Sequence, residues 1–176
     1  MNDIVAKIFI LGVGNVGSSL LDIIKKINPK WMKVIRIASS KKMLFKDEGI
    51  DLSKVLKKLY KSSNDFNLDE FLAYNDNYTN KIFVDCTADE FISKQYVKII
   101  NKGFSIVTAN KIANALDQNY YCKIRECVEK NNVQFRYETN VGGGLPIIST
   151  IRRLVSTGDR VLNIQGVLSG TLSYLF

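Results

Sequence analysis

The residues best placed to do chemistry begin with Gly12-Val13-Gly14-Asn15-Val16-Gly17. Three glycines at this spacing suit a dinucleotide phosphate. The first permits a tight turn, the second lets the backbone approach the pyrophosphate, and the third lets a helix pack on a strand. The phosphates then sit on free N–H groups at the positive end of that helix. Alone the pattern is weak, and a glycine turn without ligand is the plain alternative. A strand before it and a helix after it are the context that gives it meaning. A second signal stands where the next strand should end. An NAD site places an Asp or Glu on the ribose 2′-hydroxyl about 20 residues on. This chain instead reads Ala38-Ser39-Ser40-Lys41-Lys42. Hydroxyls and ammonium groups, as at Ser40 and Lys41, suit a 2′-phosphate and favour NADP(H) over NAD(H). A polar turn with solvated lysines is the other reading.

Three further segments carry candidate groups. Val84-Asp85-Cys86-Thr87-Ala88 ends an apolar run. Ligands of an open parallel sheet lie beyond the carboxyl ends of its strands, so Thr87 could meet a cofactor. Asp85 and Thr87 could equally cap the next helix. Val107-Thr108-Ala109-Asn110-Lys111 puts a lysine just past another strand, where it could polarise a carbonyl. In a chain so rich in lysine, Lys111 is weak evidence by itself. Tyr137-Glu138-Thr139-Asn140-Val141-Gly142-Gly143-Gly144-Leu145-Pro146 sets three glycines beside a carboxylate. Converging carbonyls with Glu138 would suit a hard cation. A flexible hinge with a surface Glu is the alternative, and the residues alone favour the hinge.

The elements that must position these groups alternate between apolar runs and amphipathic stretches, the pattern of β-α-β units. Strands are expected at Ala6–Leu11, Val34–Ala38, Ile82–Asp85, Ser105–Val107, Val133–Tyr137 and Val161–Val167. The first helix runs from Asn15 to Ile27 with Val16, Leu20, Ile23, Ile24 and Ile27 on one face. Asp51 could cap a helix through Leu59, a short helix fits Leu68–Tyr74, and Ser62–Asn67 reads as a loop. Glu90–Asn101 reads as one helix stopped by Gly103. A long helical region precedes Asn131-Asn132, and Pro146 suits the first turn of a helix through Leu154. The fold class is α/β: a Rossmann-like, doubly wound parallel sheet over residues 1–140. Residues 141–176 would begin an α+β substrate and dimerisation domain.

Composition narrows the class. Hydrophobic residues make up 46% of the 176 and charged residues 24%, ordinary for a globular protein. No apolar run reaches the roughly 20 residues of a membrane span. The first residues lack the features of a signal peptide, so the cytoplasm is the expected compartment. Three cysteines without framework spacing argue against a disulfide scaffold. With no histidine, imidazole acid–base chemistry and imidazole metal ligation are excluded. The net charge of +8 admits a polyanion-binding face. Scattered Lys with little Arg favours a solvated surface and no nucleic-acid partner.

Taken in order, GVGNVG, VDCTA, TANK, YETNVGGGLPII and GVLSGTLSYLF resemble the homoserine dehydrogenase family over nearly the whole chain. The stretch IASSKKMLFKDEGIDLS looks most like the dehydrogenase half of bifunctional aspartokinase–homoserine dehydrogenases. The resemblance implies NAD(P)-dependent interconversion of L-homoserine and L-aspartate 4-semialdehyde on the route to threonine and methionine. It implies cofactor contacts at Val13, Asn15, Val16, Thr87, Ala109 and Lys111, with Lys111 near nicotinamide and substrate. It further implies a sodium-type site, for sodium or potassium, from the Glu138 carboxylate and the carbonyls of Val141, Gly143 and Leu145. A homo-oligomer is expected of the complete protein. The family's substrate-binding acidic pair and second lysine lie beyond GTLSY, so these 176 residues are expected to bind cofactor without turnover. A dinucleotide-binding module without turnover is the competing reading. The expected last strand would then leave apolar residues open to self-association.

Overall fold

The computed structural model describes residues 5–74 and 80–167. Its contacts divide the chain between Arg136 and Tyr137.

The first unit begins with β1 (Ala6–Leu11), an almost wholly buried apolar strand. It runs through the glycine turn into α1 (Asn15–Ile27). The buried stripe of α1 is Gly17 and Leu21, flanked by Leu20 and Ile24, the i, i+3, i+4, i+7 pattern of an amphipathic helix. Val16, Ile23 and Ile27, expected on that face, are more than half exposed. Gly17 has no side chain and so fixes which stripe can approach the strand. Asn28 ends the helix in the left-handed conformation, its N–H on Ile24 O at 2.8 Å.

β2 (Met32–Ala38) pairs parallel to β1. A strand not expected from the sequence follows: β3 (Met43–Phe45), antiparallel to β2. Ser39 N donates to Lys42 O at 2.8 Å, so Ser40 and Lys41 form the tip of a two-residue hairpin. Neither is Gly, Asn or Asp, the residues that usually announce such a turn. Arg36 on β2 is buried, with Nη1 on Asp47 Oδ1 at 2.7 Å and its guanidinium near the rings of Phe9 and Phe45.

α2 (Val55–Tyr60) is entered through Lys54. Asp51 does not cap it: its carboxylate takes Ser53 N, Ser53 Oγ and Lys58 Nζ. α3 spans only Leu68–Phe71, capped by Asn67. β4 (Lys81–Asp85) pairs with β1 on the side away from β2. The expected single helix over 90–101 is two, α4 (Glu90–Ser93) and α5 (Tyr96–Asn101). Gln95 N bonds to Ile92 O, three residues back. That tightened turn re-aims the chain and brings Tyr96 into the core, fully buried.

β5 (Phe104–Thr108), α6 (Ile112–Ala115), α7 (Gln118–Lys130) and β6 (Phe135–Arg136) complete the unit. β6 is shorter than the expected Val133–Tyr137. The sheet order is β3-β2-β1-β4-β5-β6, with every neighbouring pair parallel except β2–β3. Side chains alternate across its faces. Ile8 and Ile10 pack with Leu21 and Leu59, while Phe9 meets the edges of Phe71 and Phe104. The strand order reverses at β1 and β4, and ligands of such sheets bind beyond the carboxyl ends at that point.

The second unit holds a 3₁₀ turn at Glu138–Asn140 and α8 (Ile147–Ser156). Residues 161–167 form no strand. A strand's hydrogen bonds must come from a neighbour, and the described residues of this unit offer none. Leu162 and Val167 are 83% and 75% exposed.

Candidate cofactor site

The glycine turn is shaped by contact. Gly12 has φ +93°, and a Cβ there would lie 2.9 Å from the Cys86 backbone and Thr87 Cγ2. A Cβ on Gly17 would lie 1.9 Å from Gly12 O. Gly14 differs: a Cβ there would meet nothing within 4 Å. The fold itself does not demand glycine at that position, whereas a phosphate approaching the backbone would. Gly14 precedes a first turn, from Asn15 through Gly17, with no acidic residue and no side-chain cap. Its N–H groups therefore carry the positive end of the helix dipole.

A cleft of about 1100 Å³ opens beside this turn. Gly12, Val13 and Gly14 line it, as do Ser40 and Lys41 of the hairpin tip and Thr87 beyond β4. Ser39 Oγ accepts the N–H groups of Lys41 and Lys42, which locks the tip. Lys41 and Lys42 both line the cleft; Lys42 Nζ is held by Asp65 Oδ1 at 2.8 Å, whereas Lys41 makes no ion pair among the described residues. The 62–67 segment docks here through Phe66 N on Lys41 O. Tyr60, Phe66 and Phe91 also line the cleft. Sequence reasoning missed these aromatics, because only folding gathers three separated rings at one opening.

The ends of β4 and β5 lie side by side, Asp85 opposite Thr108. Thr87, two residues on, and Ala109 and Lys111, just past β5, stand on adjacent loops; Ala109 N donates to Asp85 O at 2.9 Å. Lys111 is exposed at the start of α6. Neither Asp85 nor Thr87 caps α4. Asp89 does, accepting Ile92 N. Asp85 is instead fully buried. Its Oδ1 takes Thr87 N at 2.8 Å, and its Oδ2 takes the Tyr96 hydroxyl at 2.6 Å and Asn110 Nδ2 at 3.3 Å. Burial, and then the Asp85 charge, push the Tyr96 hydroxyl far above its ordinary range. The same two causes push the Cys86 thiol up to about 11.

In the second unit, both Glu138 oxygens accept Ser149 N, at 3.1 and 3.0 Å. The Leu145 carbonyl accepts Ile147 N at 2.9 Å. The carbonyls of Val141 and Gly143 take no hydrogen bond from the described residues. No group of three or more His, Cys, Asp or Glu side chains able to hold a metal occurs among the described residues. No described helix is long and apolar enough to cross a membrane.

A parallel sheet with a three-glycine turn at its order reversal, opening on a cleft at the carboxyl ends, defines a dinucleotide-binding Rossmann domain. Residues 12–138 match the family model described as homoserine dehydrogenase, NAD binding domain, and residues 146–176 match the homoserine dehydrogenase model. The chain belongs to the homoserine dehydrogenase family. It is 42% identical over 176 residues to the bifunctional aspartokinase/homoserine dehydrogenase of Buchnera aphidicola, covering 96% of this chain and 22% of that one. A Candida auris protein of unknown function superposes with a TM-score of 0.83 at 34% identity, over 97% of this chain and 49% of that one. A mutant homoserine dehydrogenase of a hyperthermophilic archaeon, in complex with NADPH, superposes with a TM-score of 0.69 at 26% identity, over 86% of this chain and 49% of that one. The chain spans about a fifth of the length of the curated relatives it matches.

Proposed function

We propose that the chain is the cofactor-binding part of an NAD(P)-dependent homoserine dehydrogenase, which interconverts L-homoserine and L-aspartate 4-semialdehyde and takes NADP(H) ahead of NAD(H). The observation that carries this reading is the cleft joining the glycine turn, the Ser40-Lys41 tip and Thr87. Gly12, Val13, Gly14, Asn15, Val16 and Gly17 cradle the pyrophosphate, Ser40 and Lys41 take the 2′-phosphate, and Thr87 and Ala109 flank the rest of the cofactor. The reduced nicotinamide, when bound, supplies a hydride. Lys111 then holds the negative charge that grows on the aldehyde oxygen and hands that oxygen a proton.

Fluorescence titration with NADPH and NADH tests the cofactor choice. A charge-assisted hydrogen bond to phosphate is worth roughly 1.5–3 kcal/mol, on the order of ten- to a hundredfold in affinity. Lys41→Ala should weaken NADPH by that factor and leave NADH unchanged; equal affinities for both cofactors in the parent chain reject the assignment. NADPH-dependent reduction of aspartate semialdehyde, assayed in the complete protein, tests the activity; there, binding without turnover favours a dinucleotide-binding module.

Glu138, with the carbonyls of Val141, Gly143 and Leu145, is proposed to hold sodium or potassium. The carbonyls of Val141 and Gly143 have no donor among the described residues and follow Glu138 closely in the chain, which supports an oxygen-only set for a hard cation. Glu138→Gln should flatten the dependence of the melting temperature on either ion, and a parent chain insensitive to both ions speaks against the site. The complete protein is read as a homo-oligomer of the cytoplasm.

A further inference from the structure

Between the ends of β4 and β5 the fold buries four polar side chains together: Asp85, Tyr96, Thr108 and Asn110, none more than 3% exposed. Asp85 Oδ2 can only accept, so the Tyr96 hydroxyl spends its proton there, at 2.6 Å. Thr108 Oγ1, 2.7 Å from the Tyr96 oxygen, then donates its proton to that oxygen, with Asn110 O farther off at 3.3 Å. The same Oγ1 accepts Asn110 N at 2.9 Å. Asn110 Nδ2 reaches Asp89 O at 3.0 Å and Thr87 Oγ1 at 3.4 Å, and its Oδ1 takes Ile112 N at 3.1 Å. Asp85 Oδ1 closes the set on Thr87 N.

Stability alone does not call for this arrangement. Well-packed apolar residues of the same shape often serve a core as well as buried polar groups do. The network also lies at the carboxyl ends of the strands, where this fold binds ligands. Every bond ends on one of two loops, 86–89 or 109–112, or on the helix α5 beneath them. The first loop carries Thr87 and the second carries Ala109 and Lys111.

We infer that Asp85, Tyr96, Thr108 and Asn110 are positioning residues that fix the 86–89 and 109–112 loops in one mutual register, so that Thr87, Ala109 and Lys111 meet the nicotinamide half of the cofactor together. This rests on the cofactor reading above. The hydrogen bonds just named run to the two loops and α5, and the glycine turn meets them through packing against Cys86 and Thr87, so the adenosine half of the cofactor should depend on these four side chains less than the nicotinamide half does.

Two near-isosteric variants of the 176-residue chain test the inference: Tyr96→Phe, which keeps the ring against Phe135, and Thr108→Val. Affinities for NADPH and for 2′,5′-ADP, which lacks nicotinamide, are measured beside the melting temperature. Each variant should bind NADPH about tenfold more weakly, the order expected for one lost buried hydrogen bond, with 2′,5′-ADP unchanged. Thr108→Ser, which keeps the hydroxyl, should restore NADPH binding. Ser105→Ala removes a hydroxyl that accepts Gln134 N at 3.1 Å, outside the network, and should leave the ratio of the two affinities at the parent value. Parallel losses of both ligands, or lowered melting with both affinities intact, would overturn the inference alone. So would failure of both variants to fold, which assigns the network to stability. A parent chain that binds neither ligand overturns the cofactor reading and this inference with it.

Discussion

Two glycines of one motif do different work. Gly17 is required by packing, since a Cβ would sit 1.9 Å from Gly12 O. Gly14 faces open space. Gly17→Ala should cost about 1–3 kcal/mol through overpacking, and calorimetry should show a melting temperature lower by roughly 2–10 °C. Gly14→Ala should melt as the parent does while losing NADPH affinity. The reverse pairing would show that the turn is a structural device. Cys86, beside the same turn, is held protonated by burial and by the Asp85 charge, its pKa rising from 9.0 to about 11. Above pH 9 the unfolded chain gives up that proton first. The thiol's contribution to stability is therefore complete below pH 9 and lost as the pH rises towards 11. Timed alkylation at pH 8 with mass analysis should modify exposed Cys122 well before Cys86; equal rates would contradict the burial of Cys86.

At the scale of elements, the break between α4 and α5 matters most for the site. A continuous helix over 90–101 would follow from residue periodicity. The turn at Gln95 instead delivers Tyr96 to Asp85. Asp89 holds the start of α4 by accepting Ile92 N at 3.2 Å. Asp89→Ala should cost about 1 kcal/mol, the usual worth of such a cap, read as a lower denaturant midpoint with unchanged slope. No change in midpoint would mean that α4 is held by Ile92 and its packing alone. The β2–β3 hairpin also exists only at this scale, because Ser39 Oγ tightens a tip that its sequence does not announce.

At the scale of the whole molecule, the first unit has its own core around Ile8, Ile10, Leu21 and Leu59, with a ring cluster on the other sheet face. A ligand bound only by the folded state stabilises it by mass action, about 2.7 kcal/mol at a hundred times its dissociation constant. NADPH at that excess should raise the melting temperature by roughly 5–10 °C, and NADH at equal concentration by less. No shift with NADPH would place the cleft outside cofactor binding.

Much of this was legible in the residues themselves. A buried β1, a three-glycine turn and an amphipathic α1 follow from local spacing, because turn geometry, alternation and helical period are set within a few residues. The family motifs fixed membership in the same way. On the apolar face of α1, Leu20 and Ile24 pack as expected, but Gly17 and Leu21 take the centre of the stripe and Val16, Ile23 and Ile27 lie outside it. The cleft aromatics, the pairing of Lys42 with Asp65, and the Asp85–Tyr96–Thr108–Asn110 network lay beyond reach. Each joins residues far apart along the chain, and which polar groups meet in a core depends on strand register and helix aim. Those are decided by how all the elements pack, so only the tertiary structure could decide them.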